Sequence, residues 1–531
     1  MDELKTNVLY FGDNLEILQN RNYFPDECIN LVYLDPPFSS NRDYNILYKE
    51  VSGKWSEAQI KAFSDTWTWD KAAEDTLQDI RLKAPLEVGK LIEGMVEGIG
   101  TTPVSAYLVM MTPRLLEMHR VLKDTGSLYL HCDPTASHYL KLILDRIFGT
   151  RNFRNEIVWS YRTGGASKRH FARKHDTIFF YSKSDNYVFN PQKERIYYEK
   201  PFFSPQKDAQ GRYYADVFVR DIWEIRAVIN VSKERLGYAT QKPLALLERI
   251  IETSSNEGDV VLDPFCGCGT ALVAAHKLNR QWIGIDITYD AIEVMSQRLR
   301  DSFHGIHFET EGLPKDLAGA KALANKNRIQ FERWALGLVK ARPVDKRDGG
   351  VDGIIRFQED AKSWAMIAVQ VKSGAINPGF IRDLKGVLTN KNYPMGIFIT
   401  LNAPTKGMRD EARKAGSYRH PFLGLDYPKI QILTIEELLQ DKKPNIPPTK
   451  AEVFPKAPTV SKEEGEQLPM GKRKFKEGDR VIGSEKKASF RGRRGTVVEY
   501  WAPTGEYLVR FDDGRDEYVS PGWLDPEKSV D

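Results

Sequence analysis

The apolar run over residues 29–33 ends in Leu34-Asp35-Pro36-Pro37-Phe38, and this junction constrains the fold more than any other stretch of the chain. The run predicts a buried strand, which must stop at the prolines because proline cannot donate a ladder hydrogen bond. Its carboxyl end then presents a carboxylate, a carbonyl-rich turn and an aromatic ring. This set suits a planar amine, since Asp35 and the Pro36 carbonyl can accept two N–H groups while Phe38 stacks on the ring. A strand followed by an ordinary Pro-Pro turn is the alternative.

The composition is that of a soluble globular protein with several domains. A length of 531 residues favours three or four domains, and 41% hydrophobic with 28% charged residues is typical of a folded chain. The net charge of +4 means that any nucleic-acid surface must be local. The four cysteines are too scattered for a disulfide framework and favour a reducing compartment. Because residues 1–4 do not resemble a signal peptide and no apolar run reaches membrane-spanning length, we expect a cytoplasmic protein without a membrane partner.

Residues 1–305 alternate between predicted strands and predicted helices. Strands are predicted over residues 8–11, 29–33, 126–131, 156–161, 259–262 and 282–285, and helices from residue 14 and over residues 107–121, 136–148 and 271–278. Such alternation predicts an α/β fold with a mostly parallel sheet and helices on both faces. Residues 39–100 show no clear period and are predicted to be irregular.

A second motif follows the strand predicted over residues 259–262. Asp263-Pro264-Phe265-Cys266-Gly267-Cys268-Gly269-Thr270 is a glycine-containing turn that leads into a helix. Such a corner lets a nucleotide-type cofactor approach the backbone and the free N–H groups of the helix N-terminus. The next predicted strand ends in Asp286, an acid placed to bind ribose hydroxyls. Because no second Cys or His pair lies at ligand spacing, Cys266 and Cys268 are interpreted as small turn residues rather than metal ligands.

Together, Asp35-Pro36-Pro37-Phe38 and the motif of residues 263–270 resemble the amino-methyltransferases of DNA. The catalytic motif precedes the cofactor motif, which is the order of the β-class members. Thr240-Gln241-Lys242-Pro243 is similar to the motif that borders the cofactor pocket in that class, and Gly12-Asp13 also fits the family pattern. The resemblance covers residues 6–300.

This resemblance implies a Rossmann-like fold that uses S-adenosylmethionine to methylate an exocyclic amine in double-stranded DNA, with adenine N6 favoured over cytosine N4. Asp35, Pro36, Pro37 and Phe38 are then expected to be catalytic. The expected cofactor-binding residues are Asp13, Thr240, Lys242, Asp263, Pro264, Phe265, Gly267, Gly269, Thr270 and Asp286. A base inside a duplex must flip out to reach such a site. Residues 162–240, rich in basic and aromatic side chains, are expected to recognise the target, and a solvated insertion is the alternative.

Residues 322–440 predict a second α/β domain with a polar cluster at one sheet rim. Asp352 precedes a predicted strand, and Gln370 and Lys372 lie two apart on the next strand, so all three side chains face one rim. An acid and an amide oxygen can hold a divalent ion, while a lysine stabilises a phosphorane. Ordinary polar residues at strand ends are the alternative interpretation.

Gly350-Val351-Asp352-Gly353 with Gln370-Val371-Lys372-Ser373 resembles the Mrr-like branch of the PD-(D/E)xK restriction endonucleases, in which Gln replaces the usual acid. The resemblance implies a type II/IV-like endonuclease that uses Mg²⁺. Asp352 and Gln370 are the expected metal ligands, and Lys372 and the helical Glu332 are further expected catalytic residues. Because the acidic pair is incomplete, a catalytically inactive DNA-binding module is the alternative.

Residues 441–473 have the composition of a semi-rigid linker. Residues 474–531 predict short strands with Gly turns, which resembles a small Tudor/KOW-like β-barrel. Its basic loop carries Lys486, Lys487, Arg491, Arg493 and Arg494. The sequence does not indicate which ligand the barrel binds.

We therefore expect a bifunctional modification and restriction enzyme with a role in defence. An RNA-binding or scaffold protein with decayed motifs is disfavoured because both methyltransferase motifs are intact. The recognition sequence and the oligomeric state, a homodimer included, stay open.

Overall fold

The first 311 residues of the computed structural model contain the predicted strands and helices, with three successive helices over residues 71–121 and six successive strands over residues 153–224. The strands are β1 (Val8–Phe11), β2 (Ile29–Leu34), β3 (Asp43–Lys49), β4 (Trp55–Ser64), β5 (Leu122–Cys132), β6 (Phe153–Ser160), β7 (His175–Ser182), β8 (Lys193–Tyr198), β9 (Gln206–Lys207), β10 (Tyr213–Phe218), β11 (Ile222–Glu224), β12 (Val260–Asp263), β13 (Gln281–Asp286) and β14 (Glu309–Glu311). The helices are α1 (Asn14–Gln19), α2 (Lys71–Lys83), α3 (Leu86–Ile99), α4 (Pro103–Val121), α5 (Ser137–Phe148), α6 (Leu244–Ser254), α7 (Thr270–Lys277) and α8 (Tyr289–Ser302).

The structure describes residues 4–37, 43–49, 55–64, 67–161, 169–200, 206–208, 210–229, 232, 234–236, 238, 240–344, 350–360, 363–449, 457–458, 480–483, 493–501, 506–514, 516–519 and 524–526. They divide into two compact units, Met1–Val460 and Ser461–Asp531. Within these ranges, every helix is too short or too polar to cross a membrane.

A single large sheet organises the first part of the chain. Its described strands follow the order β11-β6-β7-β5-β2-β12-β13-β1-β14. Neighbours from β5 to β14 run parallel, whereas β7 is antiparallel to both β5 and β6. Side chains alternate along β2, so that Leu31 and Tyr33 enter the core on one face and Val32 and Leu34 the core on the other. Helices cover both faces, and the prediction of a Rossmann-like α/β fold is confirmed.

Residues 71–99 form two helices, which corrects the prediction of an irregular segment. Asp70 begins α2 by accepting a hydrogen bond from the backbone N–H of Ala73 at 3.0 Å. The buried side chains recur at helical spacing, and they include Leu77 and Ile80 on α2 and Val88 and Ile92 on α3. The helical period of the apolar residues is hard to detect in the sequence because three glycines interrupt α3, and glycine is a poor helix former.

The region predicted as a second domain is also α/β. Its helices are α9 (Leu317–Lys326), α10 (Arg328–Leu338), α11 (Pro378–Asn390), α12 (Lys406–Lys414) and α13 (Ile435–Leu439). Its strands are β15 (Arg342–Pro343), β16 (Gly353–Gln358), β17 (Trp364–Lys372), β18 (Met395–Thr400), β19 (Ser417–Arg419), β20 (Asp426–Pro428) and β21 (Ile430–Thr434). A sheet in the order β15-β16-β17-β18-β21 is antiparallel as far as β17 and parallel beyond it, and β19 and β20 pair separately.

One apolar core joins this region to the first sheet. Met295 and Leu299 of α8 belong to the same cluster of buried side chains as Phe331 and Trp334 of α10. The second region therefore packs directly on the helix that follows β13.

The second compact unit contains five described strands, β22 (Arg480–Gly483), β23 (Arg494–Trp501), β24 (Glu506–Phe511), β25 (Asp516–Val519) and β26 (Leu524–Pro526). They form one antiparallel sheet in the order β25-β24-β23-β22-β26. Closure into a barrel stays a prediction. Of the predicted basic loop, Arg493 is ion-paired with Asp513 at 2.9 Å, and Lys486, Lys487 and Arg491 lie outside the described residues.

Candidate active site

The carboxyl ends of four neighbouring parallel strands meet at one edge of the large sheet, where a cavity of about 400 Å³ opens. Each strand supplies an acid to the cavity wall. Asp35 follows β2, Asp263 ends β12, Asp286 ends β13, and Asp13 follows β1. Ligands of α/β proteins bind at such an edge because the connecting loops leave a crevice there.

Most of the residues predicted for the catalytic and cofactor motifs lie together at this cavity. They are Asp13, Asp35, Pro36, Pro37, Thr240, Lys242, Asp263, Pro264, Phe265, Gly267, Thr270 and Asp286. Gly269 belongs to the same turn but does not line the cavity. Phe38 lies outside the described residues.

Asp35 has one satisfied and one unsatisfied carboxylate oxygen. Its Oδ2 atom is ion-paired with Nζ of Lys242. Its Oδ1 atom is buried and, among the residues that the structure describes, has no hydrogen-bond partner. A buried polar atom without a partner is unfavourable, so Oδ1 is placed to accept a hydrogen bond from a ligand in the cavity.

Burial sets the electrostatics of the two acids that follow β12 and β13. Burial raises the pKa of the Asp263 carboxyl well above its ordinary value of 3.8, although the backbone N–H of Phe265 donates to Oδ1 at 3.1 Å. Lys242 also opposes this shift. Burial likewise raises the pKa of Asp286, against hydrogen bonds from Thr288. A nearby cation would stabilise both ionised carboxylates, so the cavity suits a positively charged ligand.

The turn between β12 and α7 needs glycine for two physical reasons. Gly267 and Gly269 have φ values of +48° and +73°, in the left-handed region that other residues rarely adopt. A Cβ atom at Gly269 would also lie 2.6 Å from Cγ of Met295 on α8. Arg298 supports the same turn by donating to the Cys268 carbonyl at 3.0 Å and to Oγ1 of Thr270 at 2.8 Å. Packing behind the turn therefore fixes the backbone that faces the cavity.

The structure adds Arg114 to the site, which the sequence did not indicate. Nη2 of Arg114 lies 2.9 Å from both carboxylate oxygens of Asp13, and its Nε atom donates to Oδ1 of Asn14 at 2.7 Å. Asn14 in turn donates to the Pro264 carbonyl at 2.7 Å. Arg114 thus ties the β1 loop to the glycine turn from α4. Its partners lie about a hundred positions away in sequence, so no local pattern could reveal it.

A buried chain of polar groups also begins at the cavity wall. The Tyr33 hydroxyl lies 3.2 Å from Nδ1 of His131, whose Nε2 atom lies 3.1 Å from Oδ2 of Asp176. Tyr161 donates its hydroxyl to Oδ1 of Asp176 at 3.3 Å. Burial raises the pKa of Tyr33 well above its ordinary value, so this hydroxyl stays protonated. No local pattern predicts this chain, because its members lie on or next to four different strands.

Three of the residues predicted for nuclease chemistry lie together in the second region. Nζ of Lys372 is 3.6 Å from Oδ2 of Asp352, and the same oxygen accepts the backbone N–H of Val371 at 2.8 Å. Gln370 donates its amide N–H to the Gly350 carbonyl. Its Oε1 atom is buried and has no hydrogen-bond partner among the described residues. Glu332 lies on α10, which packs on β17.

The described donor set does not support the predicted magnesium site, which stays a prediction. Mg²⁺ prefers six oxygen ligands in near-octahedral geometry, usually with one or two carboxylates. The described cluster offers one carboxylate, already paired with Lys372, and one amide oxygen. Across the described ranges, no group of three or more His, Cys, Asp or Glu residues is arranged to hold a metal ion. Asp345 and Asp348 lie outside those ranges.

Residues 330–440 match a family described as NACHT-associated inactive Restriction Endonuclease 1. This match favours the alternative of a module that does not cleave. The Mrr-like assignment and cleavage activity stay predictions.

Residues 29–297 match the family described as DNA methylase, which includes the N6 and N4 methyltransferases. The type II methyltransferase M.HpaI of Haemophilus parainfluenzae is 35% identical over 216 residues, which are 40% of this chain and 66% of that protein. The DNA adenine methyltransferase YhdJ of Escherichia coli is 30% identical over 226 residues, 41% of this chain and 75% of that protein. The type II methyltransferase M1.MboII of Moraxella bovis is 33% identical over 186 residues, which are 32% of this chain and 71% of that protein. The chain therefore belongs to the N6/N4 DNA methylase family.

Proposed function

We propose that this protein transfers a methyl group from S-adenosylmethionine to the exocyclic amine of a base in double-stranded DNA, with adenine N6 as the acceptor atom. The observation that carries the proposal is the buried Oδ1 atom of Asp35, which has no partner among the described residues, at a cavity lined by three further acids. Membership of the DNA methylase family supports the reaction class. The relative YhdJ, named a DNA adenine methyltransferase, supports adenine.

The amine of a nucleobase is a poor nucleophile because its lone pair is delocalised into the ring. Asp35 can accept one N–H through Oδ1, and the carbonyl of Pro36 can accept the other. Held in this way, the nitrogen keeps its lone pair available for the new N–C bond, and Asp35 can take the proton that the methylated amine loses. Positioning and fixed charges lower the barrier without a covalent intermediate on the protein.

The residues of the cavity fit S-adenosylmethionine by their charges and by their hydrogen-bonding groups. When bound, this cofactor supplies a methyl group on a positively charged sulfur, and the acids of the cavity match that charge. Asp286 would hold the ribose, and Asp263 would lie near the methionine end. The glycine turn and the N-terminus of α7, which begins at Thr270, offer backbone N–H groups to the carboxylate. Asp13, from the β1 loop, would lie near the adenine.

Double-stranded DNA is the proposed partner, with the insertion between β6 and α6 as its main contact. The strands β8, β10 and β9 form a small antiparallel sheet on which cations cover aromatic rings. The guanidinium carbons of Arg195 and Arg212 lie 3.8 Å and 4.2 Å from the ring centroids of Tyr214 and Tyr197. Basic and aromatic side chains together suit phosphates and unstacked bases. The target base must leave the duplex to reach Asp35.

The test uses the full chain, duplex DNA of mixed sequence and S-adenosylmethionine labelled on its methyl group. After the reaction, the DNA is digested to nucleosides and analysed by mass spectrometry. We expect N6-methyladenine from the wild type and none from Asp35→Ala, which should still bind the cofactor. Asp75→Ala, an exposed acid on α2, is the matched control and should behave as wild type. Transfer at the wild-type rate by Asp35→Ala would contradict the assignment, and N4-methylcytosine would correct the acceptor.

Residues 322–440 have two candidate functions, metal-dependent DNA cleavage and DNA binding without cleavage. We favour DNA binding without cleavage. The support is the match of residues 330–440 to a family described as inactive, together with the 3.6 Å ion pair in which Lys372 balances the charge of Asp352. In a chain that modifies DNA, either activity fits a restriction-modification or defence role.

The two candidates differ in what the full chain does to plasmid DNA. Matched plasmids, methylated or unmethylated by this protein, are incubated with Mg²⁺ and the wild-type or Lys372→Ala protein. Intact plasmids in every sample, with DNA binding retained, agree with the favoured candidate. Nicks that disappear with Lys372→Ala would establish the nuclease.

A further inference from the structure

Helix α8 begins at the wall of the proposed cofactor cavity. Thr288, which caps this helix by accepting the N–H of Ala291, donates both its hydroxyl and its backbone N–H to Oδ1 of Asp286, each at 2.8 Å. The other oxygen of Asp286 accepts the N–H of Gly267 at 3.0 Å. The position of Asp286 against the glycine turn therefore depends on where α8 begins.

The second region of the chain supplies the partner for that helix end. The backbone N–H of Tyr289, at the first position of α8, donates to Oε1 of Gln330 at 2.7 Å. The first N–H groups of a helix have no partner within the helix, so Gln330 acts as a cap provided from outside. Gln330 is itself in the first turn of α10, where Asn327 accepts the N–H groups of Ile329 and Gln330.

Two more contacts fix α10 against the same turn of α8. Nε of Arg333 lies 3.8 Å from Oδ2 of Asp290, and the two side chains are only 13% and 10% exposed. At Gly337, any Cβ atom would overlap the hydroxyl of Tyr289. The backbone of α10 at Gly337 is therefore in contact with the side chain of Tyr289, and a shift of α10 would move the start of α8.

We propose that the restriction-endonuclease-like region is a positioning element of the methyltransferase, and that Gln330 sets the affinity for S-adenosylmethionine from outside the cavity. Gln330 does not line the cavity, so it acts through Tyr289, Thr288 and Asp286. Hydrogen bonds to a ribose require oxygens placed to within about half an ångström, and loss of the cap relaxes that placement. The inference rests on the proposed function, because it takes the cavity to be the cofactor site.

The experiment compares full-length Gln330→Met, Gln330→Glu and Gly337→Ala with the wild type. Methionine has the length of glutamine without the amide oxygen, whereas a glutamate oxygen can accept the same N–H. Lys385→Met, an exposed residue of α11, is the matched control. Dissociation constants for S-adenosylmethionine and S-adenosylhomocysteine are measured by titration calorimetry, together with kcat, the KM for the cofactor and the thermal unfolding midpoint.

We expect Gln330→Met to weaken the binding of both ligands roughly tenfold, the scale of one lost buried hydrogen bond. Gly337→Ala should weaken it in the same direction by displacing the side chain of Tyr289. The KM for S-adenosylmethionine should rise with little change in kcat, and Gln330→Glu should restore most of the affinity. Unchanged affinity in Gln330→Met with normal unfolding would overturn the inference, as would equal weakening by Gln330→Glu. If Gly337→Ala does not fold, the comparison of Gln330→Met with Gln330→Glu still tests the inference. A wild type that binds neither ligand would overturn the proposed function as well.

Discussion

Lys242 and Asp35 lie 207 positions apart in the sequence and form an ion pair in the wall of the cavity. Lys242 also opposes the effect of burial on the pKa of Asp263. One ammonium group therefore serves two acids of the proposed site, close to where the base and the cofactor would meet.

Replacing Lys242 should change the pH dependence of methyl transfer. In Lys242→Met, the acid limb of the pH–rate profile should move to higher pH, because the pKa of Asp263 loses the neighbouring cation that lowers it. Initial rates across the acid and neutral range would measure the shift. Lys71→Met, an exposed lysine of α2, should leave the profile unchanged. If the profiles of Lys242→Met and the wild type differ only in their maximal rate, and not in the pH of the acid limb, this electrostatic role of Lys242 would be contradicted.

Asp263 should reduce the stability of the cofactor-free protein. Its folded pKa lies above the unfolded value of 3.8, so the folded state binds the proton more tightly and loses stability as the pH rises above 3.8. Asp263→Asn keeps the acceptor for the Phe265 N–H and removes the charge. Its free energy of unfolding at neutral pH should be about 1 to 3 kcal/mol higher than that of the wild type, while cofactor binding weakens.

Urea unfolding over a series of pH values would test this, and the advantage of Asp263→Asn should disappear as the pH falls toward 3.8. Asp75→Asn, exposed on α2, serves as the control. A variant no more stable than the wild type at neutral pH would show that the protein compensates the buried charge fully.

Two glycine-to-alanine substitutions should change stability in opposite directions. Gly269→Ala places a side chain at a φ of +73° and against Met295, and should lower the free energy of unfolding by about 1 to 3 kcal/mol. Gly94→Ala lies inside α3 with nothing within 4 Å, and should raise it by about 0.5 to 1 kcal/mol. Denaturant unfolding gives both values. The same sign for the two variants would contradict the account of the turn.

The proposed DNA interface is tested at Arg169, an exposed residue of the insertion. If Arg169 contacts a phosphate, Arg169→Gln should weaken duplex binding to a similar extent for all DNA sequences. The slope of the logarithm of the binding constant against the logarithm of the salt concentration should fall by about 1. Binding would be measured by fluorescence anisotropy at several salt concentrations, with Lys71→Gln as the control. An unchanged slope would place Arg169 away from the phosphates.

The strand ends that carry the proposed site could be predicted because their signals are local. Pro36 and Pro37 stop β2 immediately after Asp35, and the glycines after Asp263 mark the turn into α7. The clustering of Asp352 with Lys372 also follows from the alternation of side chains along strands. Such patterns place a residue at the end of an element without knowledge of its neighbours.

The pairs that complete the site could not be predicted, since they join distant parts of the chain. Arg114 reaches Asp13 across 101 positions, and Lys242 reaches Asp35 across 207. The hydrogen bond from the amide N–H of Gln370 to the Gly350 carbonyl could not be predicted either. Tertiary packing decides such partners, and one sequence does not record it.

The contact between Gly337 and the Tyr289 hydroxyl has a consequence for how this protein can change or be engineered. A larger residue at position 337 requires a smaller one at position 289, so a substitution at position 337 is harmful until position 289 has changed. A graft of residues 322–440 onto another methylase would have to include α8 as well. The two regions are therefore expected to be inherited and exchanged as one piece.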